Sequence, residues 1–180
     1  MQEHGVLERV LLVYGESTRR LDRGEALDPT IIPSAAAIVR RFVEDYHERL
    51  EEQFIFPRLE ANHREVELVA TLRLQHQRGR EVTDEIVRLA RALPGSAREL
   101  SQQIRNFERM YRPHAAREDT VLIPAFRMVI DTNEYRELGE KFEDEEHKRF
   151  GEGGFEKTVA EVAHLEDSLG IGDLAKFTAP

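Results

Sequence analysis

The stretch HERLEEQFIFP, residues 47–57, recurs in outline as HAAREDTVLIP, residues 114–124. In each, a glutamate follows a histidine by four residues (His47 and Glu51; His114 and Glu118) and an acidic residue comes next (Glu52; Asp119). A proline stands ten residues after each histidine (Pro57; Pro124). Residues four apart share a helix face, so each histidine and its glutamate can reach the same point. His-x3-Glu by itself is cheap in a glutamate-rich chain, and His4/Glu8 and His63/Glu67 also match. The longer pattern is far more specific and reads as one ligand module used twice.

Outward from the modules, strand signals are almost absent and apolar residues recur every three or four positions. Leu7, Leu11, Tyr14, Thr18 and Leu21 mark a first helix, with His4 one turn before Leu7. A second carries Ala36, Val39, Val43, His47, Leu50 and Phe54 on one stripe, and Pro57 ends or kinks it. The third stripe is Val69, Leu72, His76, Gly79, Thr83, Ile86, Ala90 and Leu93, stopped by Pro94-Gly95. Ser96 and Glu99 have the spacing of a capping box for a fourth helix. Its stripe is Leu100, Ile104, Phe107, Tyr111, His114, Glu118, Val121 and Ala125, with Pro113 inside it. Further helices are predicted near 135–150 and, after a glycine-rich break, over 155–169. These elements predict an all-α up-down four-helix bundle over residues 1–128, with a C-terminal helical extension over 129–180 packed on the same domain.

Four histidines, His4, His47, His76 and His114, fall on the inward stripe of four different helices. One histidine on an apolar face is usually a core residue with a satisfied partner. Four converging imidazoles need protons, water or metal to satisfy their nitrogens, because an unpaired buried polar group costs about 1–3 kcal/mol. With Glu51 and Glu118 they make six nitrogen and oxygen donors, more than one four-coordinate zinc uses. Imidazole with carboxylate and no sulfur suits iron, manganese or zinc, and the number of donors suits two ions bridged by carboxylates.

The 180 residues contain no cysteine, which excludes disulfides, zinc ribbons, thiolate-held iron–sulfur clusters and thiol catalysis. A formal net charge of −9 argues against nucleic acid and anionic lipid as partners. No apolar run approaches the roughly 20 residues of a membrane span, and Met1-Gln2-Glu3-His4 has no signal-peptide character, so a cytoplasmic location is expected.

The pieces Glu3-His4, His47-x3-Glu51, His76 and His114-x3-Glu118 together resemble the hemerythrin/HHE cation-binding family over about the first 125 residues. The resemblance implies two non-haem iron ions, oxo-bridged and bridged by Glu51 and Glu118. His4, His47, His76 and His114 are then the terminal ligands, and a small diatomic molecule or peroxide takes the open position. The oxygen-carrying branch of the family has two histidines four apart on its third helix. Leu72 and Arg80 flank His76 at those spacings here, so one such ligand is missing. His147, four residues after Glu143, is a candidate fifth histidine from the extension, against the alternative of a solvated acidic face. Glu48, turned by about 100° from His47, is expected to be solvated or to support the ligands rather than join them. Glu52 and Asp119 can accept a hydrogen bond from a ligand histidine, or are simply exposed. Tyr46 and Tyr111 line the pocket or pack beside it.

The function expected is binding, sensing or detoxifying dioxygen, nitric oxide, peroxide or iron. One alternative is a di-iron oxidase or peroxidase, catalase-like in the hemerythrin form. The ferritin-like spacing Glu-x-x-His occurs at Glu60/His63 and Glu161/His164, off the main stripes. A metal-free helical interaction module would leave four stripe histidines without a purpose. Repair of iron–sulfur clusters is disfavoured by the absence of cysteine.

Overall fold

The computed structural model describes residues 2–179, which form six helices and one short 3-10 turn, with no strand among them. Helix α1 is Gln2–Arg23. Helix α2 runs unbroken over residues 31–61, from Ile31–Ile38 through a π-helical Val39–His47, Glu48–Leu50 and a π-helical Glu51–Ile55 to Phe56–Ala61. Helix α3 is Val66–Ala90. Helix α4 covers residues 97–129 as Ala97–Arg117, a π-helical Glu118–Leu122 and Ile123–Val129. Helices α5 (Thr132–Phe150) and α6 (Gly154–Leu169) follow, and Leu174–Phe177 is the 3-10 turn.

Helices α1 to α4 form a closed ring, each packed on the next and α4 returning to α1. Helix α6 lies on α1 and α2, tied to α1 by Arg9, whose Nε donates to Glu166 at 3.0 Å. At its far end Gly170 takes a left-handed φ of +69°, which a glycine adopts freely, and Arg20 donates to the Leu169 carbonyl at 2.7 Å. Helix α5 is capped by Asp131, whose carboxylate accepts from the amides of Asn133 and Glu134.

The apolar interior is in two parts. The larger is built by Val6 to Tyr14, Ile31 to Tyr46, Ile86 to Ala90 and Leu100 to Ala115, with Val162, Leu165 and Leu169 from α6. The smaller holds Ile55, Phe56, Leu59, Val69, Leu72, Leu122, Phe126 and Leu138. His4, His47, Glu51, His76, His114 and Glu118 occupy the level between them.

Two features differ from the sequence pattern. Beyond each module the buried stripe falls one residue late, at Ile55 and Leu59 rather than Phe54, and at Leu122 and Phe126 rather than Val121 and Ala125. The π turns cause this. The Phe56 amide donates to the Glu51 carbonyl and the Ile123 amide to the Glu118 carbonyl, five residues back in each case. A proline ring at 57 or 124 would crowd the carbonyl four residues earlier in a tight turn, and the wider turn gives it room. The helix therefore continues past both prolines. The capping box is also absent, because the Ser96 hydroxyl donates instead to the Leu89 carbonyl at 2.6 Å, at the frayed end of α3.

Candidate metal centre

Because α1 already begins at Gln2, His4 sits in a formed helical turn. It meets His47 and Glu51 from α2, His76 from α3, and His114 and Glu118 from α4, all of them buried. The donor atoms fall into two groups sharing Glu118: His4, His47, Glu51 and Glu118, and then His76, His114 and Glu118. His4 Nε2 lies 3.1 Å from His47 Nε2 and 3.2 Å from Glu118 Oε2. On the other side His114 Nε2 is 3.0 Å from Glu118 Oε1, and His76 Nε2 is 3.7 Å from that oxygen. Glu51 is divided in the same way, with Oε1 3.6 Å from His47 Nε2 and Oε2 3.6 Å from His76 Nε2. Each carboxylate thus turns one oxygen to either group.

The cluster fits metal cations. Both oxygens of Glu51, both of Glu118 and His76 Nε2 are buried and receive no hydrogen bond. Buried polar atoms left in this way are costly, and here they are concentrated at one place and point inward. Donors about 2.1 Å from one ion and at right angles to each other stand about 3 Å apart, close to the shorter separations found here. Without a cation the charges conflict. Burial drives the Glu51 carboxyl well above its usual range, and Glu118 beside it pushes the same way. Burial, with His4 next to it, holds His47 down to about 3, so that its ring is a neutral lone-pair donor at ordinary pH.

A second layer fixes the rings. His76 Nδ1 is 3.1 Å from Glu52 Oε1, His4 Nδ1 is 3.0 Å from Asp119 Oδ2, and His114 Nδ1 is 2.9 Å from Gln75 Oε1. A carboxylate or amide oxygen only accepts, so the Nδ1 of His76 and that of His114 carry the hydrogen and leave Nε2 as the atom turned to the cluster. Against burial, which opposes its charged form, Glu118 and Glu52 together raise His76 to about 9, so a cation taken up at its Nε2 would displace a proton there. The Phe56 ring stacks on the His76 ring at 5.5 Å between centroids and closes that side to water.

Glu48 is buried as well. The Tyr111 hydroxyl donates to its Oε1 at 2.7 Å, and the Arg80 guanidinium lies 2.8 Å from its Oε2. A Cβ on Gly79 would lie 1.9 Å from the Tyr111 hydroxyl oxygen, so glycine there leaves room for this tyrosine. Glu48 and Arg80 escape a reading by stripe position, since both lie off the main stripe and charged residues are rarely buried unpaired. The available signal was their run of acidic neighbours at four-residue spacing, Glu44, Glu48 and Glu52. Tyr46 packs against Phe42 and Phe150 instead of reaching the cluster.

His147 does not join the cluster. It is exposed on α5, whose inward positions are Leu138, Phe142 and Phe150, and it stands off that stripe. The exposed His63 and His164 are also elsewhere, so neither Glu-x-x-His match builds a ferritin-like site.

Comparison with known proteins places this geometry. The hemerythrin HHE cation-binding domain matches residues 1–126, which contain every residue of the cluster. Uncharacterized proteins of Mycobacterium tuberculosis and Mycobacterium bovis are 48% identical over 182 residues, covering 99% of this chain and 71% of their own length. No solved structure matches. Among the described residues no helix is long and apolar enough to cross a membrane. The chain belongs to the hemerythrin HHE cation-binding family.

Proposed function

We propose that the cluster holds two iron ions and that the protein binds, senses or removes dioxygen, nitric oxide or peroxide at them. The observation that carries this reading is the division of Glu51 and Glu118, each with one oxygen toward either histidine group. His4 and His47 would hold one ion, His76 and His114 the other, and the two carboxylates would span both. Six nitrogen and oxygen donors without sulfur suit iron, and two histidines with two shared carboxylates leave each ion short of six donors. When bound, such a pair supplies reversible one-electron chemistry and open positions for a small ligand.

The chain's own part is to orient and to exclude. Glu52 and Gln75 set the tautomers of His76 and His114, Asp119 lies beside the His4 ring, Phe56 shields His76, and the apolar parts on either side keep bulk water out. In this reading residues 1–128 are the metal-binding bundle, and 129–180 cover one flank of it. The test is iron analysis of protein purified without chelator, with the optical spectrum of the air-oxidised form before and after azide. Two irons per chain and near-ultraviolet absorption that azide alters are expected. Iron far below two per chain, with other metals equally absent, would leave a helical module without a cofactor.

A further inference from the structure

The polar cluster continues past its six converging side chains. On the outer flank of His76, Glu48 and Glu52 from α2 and the His76 ring from α3 bring ligand-type atoms within 4.8 Å of one another. Two carboxylates and an imidazole are a set that divalent cations bind readily. Glu48 is only 1% exposed, and its position is fixed by the Tyr111 hydroxyl at 2.7 Å, which Gly79 makes room for. The set is therefore built before any ion arrives. In this chain a cation already stands in it. Arg80, one turn after His76, brings its Nη2 2.8 Å from Glu48 Oε2 and 2.8 Å from Glu52 Oε1, and it also donates to the Glu44 carbonyl at 3.3 Å. A guanidinium stays charged at every relevant pH, and here its Nη2 alone reaches both carboxylates, so it fills the place of an ion permanently.

We infer that Arg80 is a built-in cation that keeps a third metal pocket, formed by Glu48, Glu52 and His76, closed. Glu52 is then left to accept from His76 Nδ1, and His76 turns Nε2 toward the inner cluster instead of offering Nδ1 to an ion on the outer flank. The inference deepens the proposed metal centre and rests on it for the baseline of ions bound. Arg80 acts on loading and geometry, as a positioning residue that touches no bound ion.

The experiment uses the full chain as wild type, Arg80→Ala, Arg80→Met, Arg80→Lys and the double variant Arg80→Ala/Glu48→Gln. Each is stripped of bound metal with chelator and then dialysed to equilibrium against cobalt(II), with bound metal counted by plasma mass spectrometry and the visible spectrum recorded. Arg80→Ala is expected to bind about one more cobalt ion per chain than wild type, with additional absorption bands. Arg80→Met, which keeps the apolar stem, carries the same expectation if the alanine variant fails to fold. Arg80→Lys and the double variant are expected to return to the wild-type count. A folded alanine or methionine variant that binds no more cobalt than wild type overturns the inference, as does a surplus that survives in the double variant. The wild-type count is read separately: a wild type that binds no cobalt removes the dinuclear reading, whatever the Arg80 variants do.

Discussion

Glu51 and Glu118 stand together in the interior with all four carboxylate oxygens buried and none of them receiving a hydrogen bond. Two ionised carboxylates in this position repel each other unless a cation lies between them. Glu51→Gln is therefore expected to have opposite effects in the two forms. The metal-free variant should be more stable than metal-free wild type by about 1–3 kcal/mol, because wild type must either bury a second charge there or take up a proton to neutralise it. Metal retention should fall more than about tenfold. Chemical denaturation of chelator-treated protein and metal analysis after dialysis read the two effects, and a metal-free variant less stable than wild type would contradict the electrostatic account.

Glu52→Leu keeps a side chain of similar size but removes the acceptor that holds the His76 tautomer. Metal affinity is expected to drop about 10–100-fold with the helical content unchanged. Competition against a chromogenic chelator measures it, and undiminished affinity would mean that the contact with His76 does not set the ring.

Gly79→Ala pushes a methyl group into the Tyr111 hydroxyl. Overpacking of this kind costs about 1–3 kcal/mol, and Tyr111→Phe in the same chain should restore part of it by removing the clashing oxygen. Thermal unfolding followed by circular dichroism compares the single and double variants. A double variant no more stable than Gly79→Ala alone would show that the clash lies elsewhere.

Glu44 has its carboxyl pushed up to about 7, since burial outweighs the Thr83 hydroxyl and the Arg40 guanidinium. The folded chain then keeps a proton here that the unfolded chain, near 4.5, has released. Between these values stability falls as pH rises, by at most about 3 kcal/mol from this group. Glu44→Gln should remove that slope, gaining stability relative to wild type at pH 8 and little at pH 4. Urea denaturation at the two pH values shows whether the gap opens.

His147→Ala, on the exposed side of α5, is expected to leave bound metal unchanged and to alter stability by less than about 0.5 kcal/mol. His114→Ala, inside the cluster, should lose metal. Equal metal loss in both variants would bring the extension back into the site.

Much of this was legible before the structure. Stripe positions locate His4, His47, His76 and His114 on four helices facing one interior, and four-residue spacing puts Glu51 and Glu118 beside them. What escaped the pattern depends on non-local or subtle geometry. A wide turn changes the helical period by one residue without any residue type that announces it, so Phe54 and Ala125 fall on the expected stripe where Ile55 and Phe126 are buried. Glu48 stayed open between a solvated and a supporting role, and Arg80 stood only as the residue in place of a missing histidine, because their mutual neutralisation crosses from α2 to α3. His147 had carboxylates near it in sequence, but on a helix that turns Leu138, Phe142 and Phe150 inward instead.

The division of the apolar interior has a consequence for how the chain comes apart. The smaller part, around Phe56, Leu72 and Phe126, is separated from the larger by a slab of imidazole and carboxylate rather than by continuous hydrocarbon. Whatever satisfies that slab also welds the two halves. Stripped of its ions, the molecule should open like a split log from the Phe126 end, and amide hydrogens over residues 56–61 and 123–129 should exchange with solvent ahead of those over residues 7–18.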